Sequence, residues 1–229
     1  MPKIYLSPAA HGRDNPCGYD SACGENIHCN LYIDELEPYL LACGFAVRRN
    51  PKERTGDRLK EAIAESNAWG ADLHYVAHTN AGGGAYSLLM VYDQGTAYGY
   101  AEKLAARRRE IYAGNVKISV QPQWDELRLT AAPALYDEMV FHDNAKDIAW
   151  FHEHLREMAQ ATAKAICDMF GAAFVDPYAK PAEPAPEPES GGDVWYRVQV
   201  GAFREKANAD RLCAELQGKG YAAFVKAGA

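Results

Sequence analysis

The chain has 229 residues, 48% of them hydrophobic, and a formal net charge of -7. That length holds one sizeable domain plus something small, and no apolar run approaches the length of a membrane span. The acidic balance argues against a general nucleic-acid binder, although it is uneven: residues 194–229 hold six Lys/Arg and three Asp/Glu, a net +3, so residues 1–193 carry -10. Six cysteines are too few for a disulfide scaffold in a chain this long. Cys17, Cys23 and Cys29 lie close together around His28, but not at structural-zinc spacing, and read as free or buried thiols.

The start, Met1 to Pro8, lacks the apolar segment of a secretion signal and reads as a strand over Lys3–Ser7. Residues 13–24 are rich in Gly, Asn, Asp and Pro and form a loop. A helix follows from Glu25 or Asn26 to Cys43, with Gly44 as its stop; Pro38 predicts a kink or a late start. Phe45–Arg49 is a second strand and Arg58–Asn67 a short helix. The run Ala71 to Ala77 is short and apolar, as a buried parallel strand would be, and it ends at His78-Thr79-Asn80 and a triple glycine. The glycines would let a bulky substrate pass close to the backbone. Ser87–Tyr92 is a fourth strand, and Tyr98–Tyr112 a helix whose Arg107-Arg108-Arg109 end reads as solvated. Ile118–Trp124 is a strand or an extended loop, and Ala134–Phe141 a further strand. Asp143 or Asn144 caps one long helix with apolar residues at helical spacing up to Met169. Alternating strands and helices predict an α/β domain: a twisted, mainly parallel sheet with helices on both faces.

Residues 176–193 hold five of the twelve prolines among Ala and Glu, the composition of an extended linker. Beyond it, Trp195–Phe203 reads as a strand, Ala207–Gln217 as an amphipathic helix and Tyr221–Lys226 as a second strand, a short β-α-β module. The expected domains are therefore 1–175, 176–193 as linker, and 194–229.

His11 and His78 stand at the ends of two expected strands, and Glu25 opens the first helix. Two imidazoles and one carboxylate are the ligand set of a catalytic zinc ion, with a fourth position left for water. A further carboxylate beside that water would take and pass on its proton, and Glu138 is the candidate. His74 reads as structural, and His142, His152 and His154 as solvated or capping residues.

These pieces resemble a known family, the zinc-dependent N-acetylmuramoyl-L-alanine amidases of type 3, over about residues 3–170. The carriers are Leu6-Ser7-Pro8-Ala9-Ala10-His11, Glu25 ahead of its helix, and Ala77-His78-Thr79-Asn80-Ala81. Leu127-Arg128-Leu129-Thr130, Pro133-Ala134, and Glu138 leading into Phe141-His142-Asp143-Asn144 complete the set. The clostridial and phage-like branch, which includes endolysins and autolysins, is the most similar. The resemblance implies one zinc ion on His11, Glu25 and His78, and Glu138 as the catalytic acid/base. It implies peptidoglycan as the partner and the amide between N-acetylmuramic acid and L-alanine of the stem peptide as the scissile bond. Asn80 and Arg128 are candidate substrate-binding residues, Arg128 equally a brace for the strand before Pro133. The chain departs from the family pattern at Ala9-Ala10, at Cys29 and at Asp137. Strand alternation sends Asp137 and Glu138 to opposite faces, so only one can meet the metal. The C-terminal segment resembles part of a SPOR domain, a module that binds denuded glycan strands. Its β-α-β unit is half of such a module and is expected to contribute little glycan affinity.

Two other readings compete: a zinc peptidase cutting within the stem peptide, and a non-catalytic wall-binding protein. The lack of an apolar leader points to a protein made in the cytoplasm that meets the wall after lysis, through a holin, or by non-classical export.

Overall fold

The structure is a computed structural model, and it describes residues 1–10, 24–54, 58–179 and 198–226. Its contacts divide the chain into Met1–Lys180 and Pro181–Ala229.

The first unit is built on one six-stranded sheet. Its strands are β1 (Lys3–Pro8), β2 (Ala46–Arg49), β3 (Leu73–Asn80), β4 (Tyr86–Val91), β5 (Asn115–Val120) and β6 (Ala134–Phe141). They lie in the order β2-β1-β3-β6-β4-β5. All neighbours are parallel except β4 and β6, which run antiparallel. The two middle strands show why their sequences are apolar throughout: every residue of β6 and all but the last of β3 are buried. The edge strands β2 and β5 are partly exposed and correspondingly mixed in composition.

Alternation along the strands sorts side chains between two cores. Tyr75, Ala77, Leu89, Val91 and Leu135 join the larger one, under α1 (Glu25–Ala42), α3 (Thr96–Arg109), α5 (Ala145–Glu153) and α6 (Leu155–Phe170). Val76, Met90, Ala134 and Tyr136 face the other way and pack with Leu127 of α4 (Asp125–Arg128). The second helix, α2 (Leu59–Trp69), is tied to the turn after α4, because Asn67 Nδ2 donates to the Leu129 carbonyl.

Several expectations are corrected. Helix α1 runs unbroken through Pro38, because Leu36, Tyr39 and Leu40 around it are buried and their packing outweighs one lost backbone bond. The single long helix expected after Asn144 is two, α5 and α6. They break at His154, whose ring stacks on Trp150 and whose Nδ1 meets the Trp150 carbonyl at 2.9 Å. Asn144 is the cap, its Oδ1 accepting from the Lys146 and Asp147 amides.

His142 is neither solvated nor a cap. It is buried, with Nδ1 3.0 Å from the Thr79 hydroxyl. Of the arginine run, Arg107 pairs with Asp168 and Arg109 donates to the Val116 carbonyl, but Arg108 is fully buried. Its Nη2 lies 2.7 Å from Asp137 Oδ2, and its Nη1 donates to Ser87 Oγ. Tyr75 donates to the same Asp137 oxygen, and Tyr32 links Tyr75 to Thr162 of α6. A connected polar network thus crosses the larger core. Cys29 is a buried free thiol, while Cys17 and Cys23 lie outside the described residues.

In the second unit, residues 198–226 contain the helix α7 (Lys206–Gly218). The two strands of the expected β-α-β module do not form among these described residues. A strand exists only in a ladder with a partner, and α7 buries none of its residues to anchor one. Most of the linker lies outside the described residues.

Candidate active site

Three of the four residues singled out in the sequence meet at one end of the central strands. His78 and Glu138 are direct partners in the β3–β6 ladder, so strand pairing alone puts them side by side. Glu25 is the first residue of α1, at the positive end of its dipole. Its Oε1 lies 2.8 Å from His78 Nδ1 and accepts the Thr79 amide at 3.2 Å. All three side chains are buried. His11 lies outside the described residues.

Burial works against a charged His78, but the bonded Glu25 carboxylate outweighs it and holds the imidazole above its ordinary pKa. Glu138 moves further. Burial pushes its carboxyl up to about 7; His78 opposes the shift, and Glu25 and Asp137 add to it. Its Oε2 is buried without a hydrogen-bond partner among the described residues. Asp137 points to the opposite face, onto Arg108, so alternation leaves Glu138 as the carboxylate on the His78 side.

The loop after β3 has a local reason for its glycines. Gly82 and Gly83 adopt positive φ, and their amides donate to the Asp143 carboxylate at 2.7 and 3.0 Å. At Gly84 an added Cβ would sit 2.5 Å from the Phe141 ring. The loop is thereby clamped to the turn that follows β6.

Asn80, at the end of β3, borders a cavity together with Glu138. Arg128 does not line that cavity: it is half-exposed on α4, with Nη2 2.6 Å from Asp125. Two neighbours went unnoticed in the sequence. Glu126 is buried on α4, where Oε1 accepts from Ser7 Oγ at 2.6 Å and meets His74 Nε2 at 3.2 Å. Trp124 packs edge-on to Tyr136, which in turn lies against the His78 ring. A four-residue helix has no periodicity to mark it, so nothing in the pattern drew attention to this segment. His74 is structural, as expected, stacked on Tyr5 and bonded to Glu126.

Among the described residues no group of three His, Cys, Asp or Glu side chains is gathered for a metal ion. The donors that do meet suit zinc: an imidazole and a carboxylate, buried, bonded to each other and held by the ends of a strand and a helix.

The raised Glu138 gives a test of the metal-free protein. Its folded pKa of about 7 exceeds the unfolded value of roughly 4.3, so folding takes up a proton between them and stability falls as pH rises through that window. Glu138→Gln removes the penalty. It should raise the melting temperature near pH 8, by an amount on the order of 2 kcal/mol in stability, and change it little near pH 4.5. Equal effects at both pH values would contradict the titration.

Comparison with known proteins agrees with this architecture. A SPOR domain model matches residues 160–227. The match begins inside α6, whose Ala163, Ala165 and Ile166 are part of the larger core. The chain is 30% identical over 184 residues to N-acetylmuramoyl-L-alanine amidase CwlM of Bacillus licheniformis, covering 75% of this chain and 64% of CwlM. It thus spans somewhat less than two thirds of that relative's length. It is 28% identical to the sporulation-specific N-acetylmuramoyl-L-alanine amidase of Bacillus subtilis (strain 168), covering 98% of this chain and 84% of the relative. Among solved structures, N-acetylmuramoyl-L-alanine amidase AmiC2 of Nostoc punctiforme superposes with a TM-score of 0.65 at 14% identity, over 74% of this chain and 97% of AmiC2. The chain is therefore similar in sequence to named N-acetylmuramoyl-L-alanine amidases, shares the fold of the solved amidase AmiC2, and carries a SPOR match toward its C-terminal end.

Proposed function

We propose that the chain is a zinc-dependent amidase that cleaves peptidoglycan between N-acetylmuramic acid and the L-alanine of the stem peptide. The observation that carries the reading is the convergence of His78, Glu25 and Glu138 at one sheet edge, in a chain similar to named amidases. In this reading residues 1–175 are the catalytic domain, 176–193 a linker, and 194–229 a partial SPOR-like module that adds little glycan affinity.

His11, Glu25 and His78 would hold one zinc ion. Zinc supplies Lewis acidity, toward the amide carbonyl and toward water. The chain's own part follows from its geometry. Glu25 accepts the Thr79 amide, which fixes its carboxylate against His78. Glu138, bonded at Oε2 to no other side chain among the described residues and poised near neutrality, takes the proton of the attacking water. It then returns that proton to the alanine nitrogen, so the amine leaves neutral. Burial of the site keeps bulk water from competing for it.

Product analysis on purified muropeptides tests the bond. Intact glycan and intact stems with a free L-alanine amine are expected; stem fragments would sink the reading. His78→Ala should lose bound zinc and wall lysis together, read by metal analysis and turbidity. Unchanged zinc stoichiometry in that variant would reject His78 as a ligand.

A further inference from the structure

The face of the sheet that bears His78 and Glu138 is crossed by the segment from Gln121 to Arg128. Gln121 is anchored where its amide donates to the Val91 carbonyl, and Leu127 is fixed in the smaller core. Between the two anchors Trp124 stands on Tyr136, ring centroids 5.0 Å apart at 74°, with 37% of its surface exposed. It separates two cavities of different chemistry and borders both.

The cavity on the β1 side measures about 130 Å³ and is bordered by His78, Ser7, Arg58 and Glu126. It has room for a few waters or a single extended strand of peptide. The cavity on the β4 side measures about 370 Å³, within the usual range of small-molecule sites. Leu88 and Met90 line it with apolar surface, and Asn80, Gln121 and Gln123 line it with amides. Among the described residues its one ionisable group is Glu138.

The amides are already ordered. Gln121 donates to Ser119 Oγ, and Gln123 donates to Gln121 Oε1, which leaves the Gln123 carbonyl oxygen directed to other donors. Asn80 accepts its neighbour's amide through Oδ1, which leaves its NH₂ group to donate. An indole face, apolar side chains and neutral donors and acceptors together suit an uncharged sugar ring. Its C–H face stacks on the aromatic, and its hydroxyl and acetamido groups meet amides. The smaller cavity, with the Arg58 guanidinium and the Asp125 and Glu126 carboxylates, suits a peptide that carries charge.

We propose that the larger cavity is the glycan-side subsite, seating the N-acetylmuramoyl ring on the Trp124 indole, and that the stem peptide leaves through the smaller cavity. This rests on the amidase reading, since it places the scissile amide between His78 and Glu138, one bordering each cavity. Trp124 is then a specificity-determining residue that contacts substrate on the sugar side.

Binding by the zinc-loaded full chain tests it, with N-acetylmuramic acid and the dipeptide L-alanyl-D-isoglutamine as separate probes followed by NMR titration. Trp124→Ala should weaken the sugar by about tenfold or more and leave the dipeptide within about twofold. Trp124→Phe, which keeps an aromatic face, should recover most of the loss, and Gln123→Ala should weaken the sugar alone. Equal weakening of both probes, weakening of the dipeptide only, or an unchanged sugar affinity would overturn the assignment. Turnover of muramyl dipeptide by the wild type reports separately on the reaction. Turnover without sugar binding would overturn the subsite and leave the amidase standing. Sugar binding through Trp124 without turnover would do the reverse.

Discussion

Glu138→Gln is expected to lower turnover by about 10²–10⁴-fold while leaving bound zinc at the wild-type level. Glutamine keeps the shape and the position in the ladder opposite His78, so the metal donors are undisturbed. It cannot take a proton from water, nor hand one to the departing amine. Among the described residues no other carboxylate is placed to take over: Glu25 is bonded to His78 and the Thr79 amide. Asp137 is on the other face, bonded to Arg108 and Tyr75, and Glu126 is held by Ser7 and His74. Steady-state rates on muropeptides together with metal analysis decide it. A Glu138→Gln enzyme at near-wild-type rate would remove Glu138 from the chemistry.

The second large effect is on stability. Arg108→Met should cost about 3–5 kcal/mol, because it leaves the Asp137 carboxylate buried without its counter-ion. The guanidinium is fully desolvated, which by itself disfavours its charge. Asp137, followed by the Tyr32 and Tyr75 hydroxyls, reverses that and holds it protonated. Burial, followed by the Asp137 charge, raises Tyr75 well above its ordinary pKa, and Arg108 opposes that shift. Removing both partners is a different experiment. Arg108→Met with Asp137→Leu leaves no buried charge and should recover most of the loss. Urea unfolding of the single and double variants measures the difference. A single variant within about 1 kcal/mol of the wild type would show the pair to be solvated in solution.

The sequence by itself determined β1 to β4 and β6 and their order along the chain, because buried strands are apolar runs that stop at polar and glycine residues; β5, at the sheet edge, was left open between strand and loop and lies three residues earlier than expected. Strand β6 was legible to its ends, and β3 to within a residue or two. His78 and Glu25 were legible because they stand near the end of a strand and at the start of a helix, whereas Glu138, inside β6, was marked by the family resemblance. Alternation also required that Glu138 and Asp137 face opposite sides, and the contact of Asp137 with Arg108 then showed which side each takes.

What the local pattern could not decide were the places where a distant partner overrules it. The Arg107–Arg109 run has the composition of a solvated helix end, and only the approach of β6 turns Arg108 into the core. His142 reads as a polar residue after a strand until Thr79, 63 positions away, takes its ring nitrogen. Pro38 predicts a kink or a late helix start, and the packing of its neighbours against the sheet lets the helix begin at Glu25 and continue through it. Trp124 and Glu126 carried no signal, since a four-residue helix has no period and their surroundings come from β1, β3 and β6. In the C-terminal unit the alternating apolar residues around α7 read as strands, yet a strand requires a ladder partner, and sequence alternation cannot supply one. Local pattern is set by neighbours within a few residues; burial of a charge, survival of a proline and formation of a ladder are each set by residues that only the folded sheet brings near.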